Sequence, residues 1–392
     1  MLRAVLALAL ASTLAGCFVG DDGDDATVDN SDGDEGGFAP EAVGDAHDLR
    51  FGFDGPTDQL AYFDDFYGAA TVNQGARLCH TYLPWNVANQ APNHGDATSR
   101  ADRAYLDAWL RAAQGHCDEA LISFKAMTHQ APPTKSAYAT AVTKFVATDW
   151  AAETGFTGAF SFTPWNEPNN ADDAGTGLGV AIDARLAADY YLSLEKACRA
   201  HGCKVAAGDF ASNGTMWNAF EWNCANDNVA EADLCKTKSD VSTGGASYLD
   251  KYKNEIANQG KTYGLGAGFR PEYFGYHGWH DTNEYLNSNS HCGTYDNCAL
   301  RRILKSLGGS WGGVILWDTE DGVGQNVDPG DVEQGCGAAF LQRLVTISSR
   351  VHRVYLTRLH GGGGQLLAAH ALRPAATNFA HRVINYTAGH CD

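Results

Sequence analysis

From residue 49 to the carboxyl terminus, short apolar runs alternate with longer segments whose apolar residues recur at helical spacing. This pattern predicts strands that are separated by helices. The predicted strands are Arg50–Asp54, Ala76–Tyr82, Ala120–Lys125, Gly158–Phe162, Lys204–Ala207, Tyr273–His277, Gly313–Trp317 and Arg353–Thr357. The predicted helices are Arg103–Ala113, Tyr138–Trp150, Leu186–Ala200, Ser247–Gln259, Leu300–Leu307, Ala338–Ser348 and Ala375–Asn385.

Eight strands with intervening helices over about 340 residues indicate an α/β protein that forms one (β/α)8 TIM barrel. An open, doubly wound sheet is the alternative. That fold needs a glycine-rich first turn, and here Phe53 and Asp54 stand between Gly52 and Gly55. The longest insertions, 209–245 and 278–299, are expected to form loops held by disulfides over the mouth of the barrel.

The first 48 residues have a different composition and are not expected to join the barrel. Residues 1–17 contain one arginine, an apolar run and small residues before Cys17, which predicts an export signal. Leu14-Ala15-Gly16-Cys17 resembles the lipobox of bacterial lipoproteins, which implies a lipid on Cys17 and attachment to the cell envelope; an ordinary signal peptide is the alternative. Residues 18–48 contain 11 acidic residues and no lysine or arginine, so a solvated, disordered linker is expected. The barrel would then occupy 49–392.

The formal net charge is −19, and the linker supplies more than half of it. Because no basic stripe is present, nucleic-acid binding is disfavoured.

The sequence contains 11 cysteines, of which ten remain once Cys17 is assigned to the lipid. An even number in an exported chain predicts disulfides and an oxidising compartment. The three pairs that look local are Cys198 with Cys203, Cys224 with Cys235, and Cys292 with Cys298. The pairing of four others stays open: Cys79, Cys117, Cys336 and Cys391. No C-x-x-C occurs, so a zinc site is disfavoured.

The candidate chemistry begins at Thr163-Pro164-Trp165-Asn166-Glu167-Pro168-Asn169-Asn170, directly after a predicted strand. Proline cannot continue a sheet ladder, so the strand must stop near Pro164 and present Glu167 at its carboxyl end. A carboxyl group, an amide and an indole together suit a sugar ring, which needs an acid, a hydroxyl partner and a flat apolar face.

A second acid, Glu320, follows the seventh predicted strand, and the carboxyl ends of barrel strands carry the catalytic groups. Retaining glycoside hydrolysis needs two carboxyl groups roughly 5–5.5 Å apart. Arg77 on the second strand is the expected cation that keeps the attacking carboxylate ionised. Asp318 and Asp321 flank Glu320, and Asp318 is the second choice for the attacking group.

Trp165-Asn166-Glu167-Pro168, followed by Glu320 after strand seven, resembles the clan of (β/α)8 retaining glycoside hydrolases that includes cellulases, mannanases, β-xylosidases and α-L-iduronidases. The resemblance leans towards the β-xylosidase and α-L-iduronidase group. It implies that Glu167 is the acid/base and Glu320 the nucleophile. It also implies that Asn166 binds the 2-hydroxyl, and that His277 matches a histidine at the end of strand six.

Further candidates for sugar contacts are aromatic residues and histidines near predicted strand ends: Trp85, Trp165, Trp279, Trp317, His280 and Tyr355. Two positions depart from the clan. Trp279 stands where the clan has a tyrosine that hydrogen-bonds the nucleophile. Strand eight lacks the usual tryptophan, for which Tyr355 or His360 could substitute.

The sequence therefore predicts a monomeric enzyme that acts on carbohydrate and needs no metal or cofactor. A barrel that binds glycans without cleaving them is the main alternative. A serine esterase is a weaker one: Gly308-Gly309-Ser310-Trp311-Gly312 fits G-x-S-x-G, but Ser310 follows a helix and precedes a strand, the reverse of a nucleophile elbow.

Overall fold

The structure is a computed structural model. It describes residues 50–57, 60, 77–126, 132–170, 182–212, 220–222, 238–240, 248–282, 299–321 and 348–357, with backbone alone for 220–222 and 238–240. All of them belong to one compact unit, Glu41–Asp392. The second unit, Met1–Pro40, lies outside the described residues, as do Cys17 and the predicted linker.

Eight parallel strands close into a barrel, which confirms the predicted (β/α)8 architecture. The barrel strands are β1 (Arg50–Asp54), β2 (Leu78–Pro84), β3 (Glu119–Lys125), β4 (Ala159–Thr163), β5 (Lys204–Ala211), β8 (Tyr273–His277), β9 (Ile315–Asp321) and β10 (Val351–Thr357). Two short strands, β6 (Phe220–Trp222) and β7 (Lys238–Asp240), form a separate antiparallel pair within the insertion between β5 and β8.

The described helices are α1 (Arg103–Ala113), α2 (Lys135–Ala147), α3 (Trp150–Thr154), α4 (Ala184–His201), α5 (Tyr248–Gln259) and α6 (Ala299–Ser306). The single helix expected over 138–150 is wrong, because Thr148 adopts an extended conformation and ends α2. The Asp149 side chain then caps α3 by accepting a hydrogen bond from the amide of Ala152. The helices predicted at 338–348 and 375–385 fall almost entirely outside the described residues.

Two strands run four residues further than their apolar patterns predicted. β5 continues to Ala211 and β9 to Asp321, so Asp209 and Glu320 lie within strands. The extension of β9 is polar and that of β5 contains Asp209, because side chains inside a barrel can hydrogen-bond one another across the lumen. Sequence patterning misses them for that reason.

Alternate residues of each strand face the barrel lumen. On β3, Ala120, Ile122 and Phe124 pack in the main core cluster beneath the helices, whereas Leu121 packs in a second cluster with residues of other strands. The lumen is a filled core. Its buried polar residues therefore need hydrogen-bond partners. The layer at the carboxyl ends of the strands is the part of the lumen that is accessible from outside.

The amino end of the lumen is closed by a buried ion pair. Arg353 on β10 binds Glu119 on β3 through two nitrogens, at 2.5 and 3.1 Å, and its guanidinium lies 4.0 Å from the ring of Trp317. Burial would raise the pKa of Glu119, but the Arg353 guanidinium outweighs it and lowers that pKa. The hydroxyl oxygen of Tyr355 accepts a hydrogen bond from Arg353 at 3.1 Å.

Two disulfides are present among the described residues. Cys198–Cys203 joins the end of α4 to the start of β5 and confirms one local pair. Cys79–Cys117 ties β2 to the segment before β3 and resolves part of the open pairing. They indicate an oxidising environment. The pairs 224/235 and 292/298, and residues 336 and 391, lie outside the described residues.

The buried Arg353–Glu119 pair yields a stability prediction. Arg353→Met should lower the free energy of unfolding by about 3–5 kcal/mol, because it leaves the buried carboxylate of Glu119 with only the exposed Lys204, 3.8 Å away, as a cation. Urea unfolding followed by tryptophan fluorescence measures this.

Arg77→Met is the matched control. Arg77 pairs with Asp118 at the same end of the barrel, but both side chains are at least a third exposed. Its loss should therefore cost less than about 1 kcal/mol. Equal effects of the two substitutions would contradict the role given to the Arg353 pair.

Candidate active site

The turn after β4 is held from both sides by neighbouring strands. The amide of Asn166 donates to the carbonyl of Phe124 on β3 at 2.7 Å, and the amide of Glu167 donates to the carbonyl of Asp209 on β5 at 2.8 Å. The side chain of Asn169 bonds both backbone groups of Ala211, at 2.9 and 3.0 Å. These bonds hold Glu167 at φ +46°, a conformation that a residue with a side chain rarely adopts.

Glu167 and Glu320 converge on one histidine nitrogen. His277 Nδ1 lies 2.7 Å from Glu167 Oε1 and 3.4 Å from Glu320 Oε2. The two carboxylate oxygens are therefore no further apart than the sum of these distances, about 6 Å. The side chains of Glu167 and Glu320 are 10% and 18% exposed, so both face an accessible space.

His277 lies at the carboxyl end of β8 and is buried beneath these two acids. Its Nε2 lies 3.3 Å from Asp209 Oδ1. Burial alone would lower the pKa of His277, but the carboxylates of Glu320, Asp209 and Glu167 outweigh it and hold that pKa well above its usual value. The ring is therefore an imidazolium that donates from both nitrogens.

Asp209 is the buried carboxylate on the other side of the His277 ring from Glu167 and Glu320. It is fully buried, at φ +81°, and Oδ2 accepts from the hydroxyl of Thr163 at 2.7 Å while Oδ1 accepts from Thr319. Burial would raise the pKa of Asp209, but the hydrogen bonds from His277, Thr319 and Thr163 lower it. The sequence analysis missed Asp209 because it ended β5 at Ala207. A charged residue two positions after the predicted end of an apolar strand was the available signal.

Tyr82 is the second residue that the sequence analysis missed. It lies near the carboxyl end of β2 and faces the lumen, and its hydroxyl donates to Glu320 Oε2. Burial, followed by the negative charges of Glu320 and Asp54, raises the pKa of Tyr82 well above its usual value, so it stays a donor. The tyrosine that the resemblance placed on strand six is therefore matched here by a tyrosine from strand two.

The prediction that Arg77 supports the nucleophile is wrong. Arg77 precedes β2 and lies at the amino end of the barrel, where it binds Asp118 and the carbonyl of Gly115. A parallel strand separates its two ends by its whole length, so Arg77 cannot reach Glu320. His277 is the cation beside both acids.

Asn166 lies at the mouth beside Glu167. It is 4% exposed, and its side-chain oxygen has no hydrogen-bond partner among the described residues. Trp279 and His280 follow β8 directly, the former half-buried and the latter exposed. These positions are compatible with sugar contacts.

The other aromatic candidates are buried in the interior and are not open to a ligand. Trp165 is fully buried against Tyr190, with ring centroids 5.1 Å apart, and Trp85 packs in the main core. Trp317 and Tyr355 belong to the lumen cluster at the amino half of the barrel. Expecting these four as sugar platforms is wrong, since each fills space that the barrel must close. Tyr355 packs against Gly52, where a side chain would collide with its ring.

Asp318 and Asp321 face away from the pair of glutamates. Asp318 accepts from the amide of Gly278 at 2.9 Å, and Asp321 accepts from the hydroxyl of Thr282 at 2.8 Å. Burial and the neighbouring Asp321 raise the pKa of Asp318 well above its usual value, which makes it unsuitable as an ionised nucleophile. Ser310 is exposed in a 3-10 turn at the amino side of β9, away from the site, and His360 lies outside the described residues.

Within the described ranges, no group of three or more metal-ligating side chains could hold a metal ion. No described helix is long and apolar enough to cross a membrane.

No protein-family model matches the chain, and no curated protein matches it. Solved structures do. The GH39 enzyme from Xanthomonas axonopodis pv. citri has a TM-score of 0.50 and 14% identity, over 86% of this chain and 65% of that one. CelM2, a bifunctional glucanase-xylanase from a metagenome library, has a TM-score of 0.50 and 11% identity, over 84% of this chain and 76% of that one.

These similarities establish the shared barrel fold. The similar structures are glycoside hydrolases, as the resemblance from the sequence predicted. This chain spans less than two thirds of the length of the Xanthomonas enzyme.

The charge on His277 gives a pH prediction. Its folded pKa is raised above the unfolded value of about 6.5, so its contribution to stability is complete below pH 6.5 and is lost as pH rises through the folded pKa. The difference in unfolding free energy between wild type and His277→Gln should therefore shrink as pH is raised from 6. Urea titrations across this range measure it.

His80 provides the opposite control. Burial lowers the pKa of His80 to about 4, so it is neutral in both states above pH 7. The difference in unfolding free energy between wild type and His80→Gln should therefore not change with pH above 7. If the difference in unfolding free energy between wild type and His277→Gln grows with pH, His277 is not an imidazolium in the folded protein.

Proposed function

We propose that this protein is a retaining glycoside hydrolase that cleaves β-linked glycans or oligosaccharides by double displacement. The observation that carries the proposal is the approach of Glu167 and Glu320 to one nitrogen of His277, which brings one oxygen of each carboxyl group within about 6 Å of the other at the open end of a barrel. The β linkage comes from the resemblance to the clan.

In the first step, a Glu320 oxygen forms a bond to the anomeric carbon while the bond from that carbon to the leaving oxygen breaks. The proton of Glu167 passes to the leaving oxygen. In the second step, water gives a proton to Glu167. The water oxygen bonds to the anomeric carbon while the ester bond from that carbon to Glu320 breaks.

His277 suits both steps electrostatically. The pair of glutamates carries one negative charge throughout: it is on Glu320 before the first step and on Glu167 after it. Because Nδ1 lies within reach of both carboxylates, the imidazolium stays close to that charge as it moves. Asn170 also donates to Glu167 at 2.8 Å and supports its ionised form.

The unpaired side-chain oxygen of Asn166 supports a hydrogen bond to a substrate hydroxyl, since a buried acceptor without a partner costs free energy. The oxidising environment fits export. We extend this to attachment at the cell envelope through a lipid on Cys17, with 18–48 as the tether.

The two glutamates are tested by Glu320→Gln and Glu167→Gln on a panel of aryl glycosides. Each should lower kcat/KM by about 10²–10⁴-fold. The loss for Glu167→Gln should be smaller with dinitrophenyl than with phenyl leaving groups, because a good leaving group needs little protonation. The loss for Glu320→Gln should be alike for both.

Glu195→Gln is the control, because Glu195 pairs with Arg199 on the outer helix α4. NMR of the first product should show retained anomeric configuration. Inversion would exclude the mechanism. Absence of cleavage by wild type across the panel, together with binding on a glycan array, would establish the non-catalytic alternative.

Tyr82→Phe tests the bond to the nucleophile. Loss of a hydrogen bond to a charged group should lower kcat by about 10- to 100-fold, since the bond orients Glu320 for attack. Tyr105→Phe is the control, because that hydroxyl contacts Thr81 rather than Glu320. Equal activity of Tyr82→Phe and wild type would contradict the role of Tyr82.

A further inference from the structure

We infer that the substrate carries a carboxylate on the sugar at the reaction centre and that Lys125 binds it, which makes an acidic sugar, a hexuronic acid, the substrate class of this site. The inference rests on the proposed function, whose reaction centre it extends.

Lys125 belongs to the mouth of the lumen. It is the last residue of β3 and is paired in register with Pro84, two residues beyond Tyr82 on β2. Glu119, Leu121 and Ser123 precede it at alternate positions, and each contacts lumen residues of other strands. The same alternation directs Lys125 into the lumen at the layer above Ser123.

The ammonium group of Lys125 lies next to the nucleophile's partner. Its Nζ is 5.3 Å from the centre of the Tyr82 ring, and the hydroxyl of that ring donates to Glu320. Lys125 and Glu320 thus contact the same phenol, Lys125 over its ring and Glu320 at its hydroxyl. A sugar whose anomeric carbon faces Glu320 can place a substituent beside Lys125.

Lys125 is not engaged by an anion of the protein. Within the described ranges its side chain has no hydrogen bond or ion pair, and the Tyr82 ring is the one contact of its ammonium group that involves charge. Other cations of the barrel are engaged: Arg353 binds Glu119, Arg103 binds Asp107, and Arg100 approaches Asp54 at 3.7 Å. Lys125 is also half-buried, so its desolvation is only partly offset by the ring.

Arg100 gives the same region a second positive charge. Its guanidinium lies 5.7 Å from the Tyr82 ring, and its side chain is 32% exposed. Asp54 already offsets Arg100, so of these two cations Lys125 is the one without a carboxylate partner among the residues that the structure describes. Neutral sugars offer an ammonium only hydroxyl groups, whereas a carboxylate supplies a charge-assisted hydrogen bond.

Matched substrates test the inference. The nitrophenyl β-glucuronide and β-galacturonide each differ from the β-glucoside and β-galactoside by a carboxylate in place of a hydroxymethyl group. Wild type should have the higher kcat/KM on the acidic member of at least one pair. In Lys125→Met, the acidic-to-neutral ratio should fall by about 10- to 100-fold, as expected for the loss of a hydrogen bond to a charged group.

Two further variants separate charge from packing. Lys125→Arg should restore most of the ratio, because it keeps the charge. Lys144→Met, on the exposed face of α2, should leave the ratio as in wild type. An equal loss on both members of a pair would overturn the inference and assign Lys125 to support of Glu320.

The outcomes also separate this inference from the proposed function. Cleavage of neutral glycosides in preference to acidic ones would overturn the inference alone. If no glycoside is cleaved, the proposed function fails, and calorimetry with free glucuronate and galacturonate still decides the inference. Uronate binding that is lost in Lys125→Met would support it, and no uronate binding by wild type would overturn it.

Discussion

The site depends on one buried cation that faces three carboxylates. His277 lies between Glu167, Asp209 and Glu320, and none of these charges would be tolerated at such burial without the others. Thr163 and Thr319 complete the cluster by donating to Asp209. The four charged residues come from four different strands or strand ends. The cluster therefore exists only once the barrel has closed, and it in turn satisfies polar groups that the closed lumen would otherwise bury unpaired.

The same cluster explains where the backbone departs from regular geometry. Glu167 and Asp209 both have positive φ, and a hydrogen bond joins the amide of the first to the carbonyl of the second. Gly208, at φ +98°, lies against the carbonyl of Gly275, where a side chain would collide with it. These unfavourable conformations are stabilised by neighbouring strands. They turn two acids towards one histidine, an arrangement that regular strand geometry would not produce.

At the mouth of a barrel, the same functional group can be supplied by different strands. The nucleophile candidate Glu320 receives its tyrosine hydroxyl from β2, although the resemblance placed that tyrosine on the sixth strand. The supporting cation comes from β8 rather than from β2, where Arg77 was expected. All eight strand ends converge on one axis, so a group of the required chemistry can be contributed from different positions around it. The departure at Trp279 therefore does not leave Glu320 without a donor.

The local pattern of apolar and polar residues predicted most of the strands and helix ends of this fold. The apolar runs located all eight barrel strands, and prolines on either side of Glu167 marked the end of the fourth. Helix ends were found where glycine or a capping side chain stops the periodicity, as at Gly202. Only the tertiary structure decided which residues meet across the lumen: Tyr82 with Glu320, Asp209 with His277, and Trp317 with Arg353 instead of a sugar. Periodicity reports which face of its own strand a residue occupies. The height of that residue in the barrel and its neighbours from other strands depend on register and closure, which are non-local.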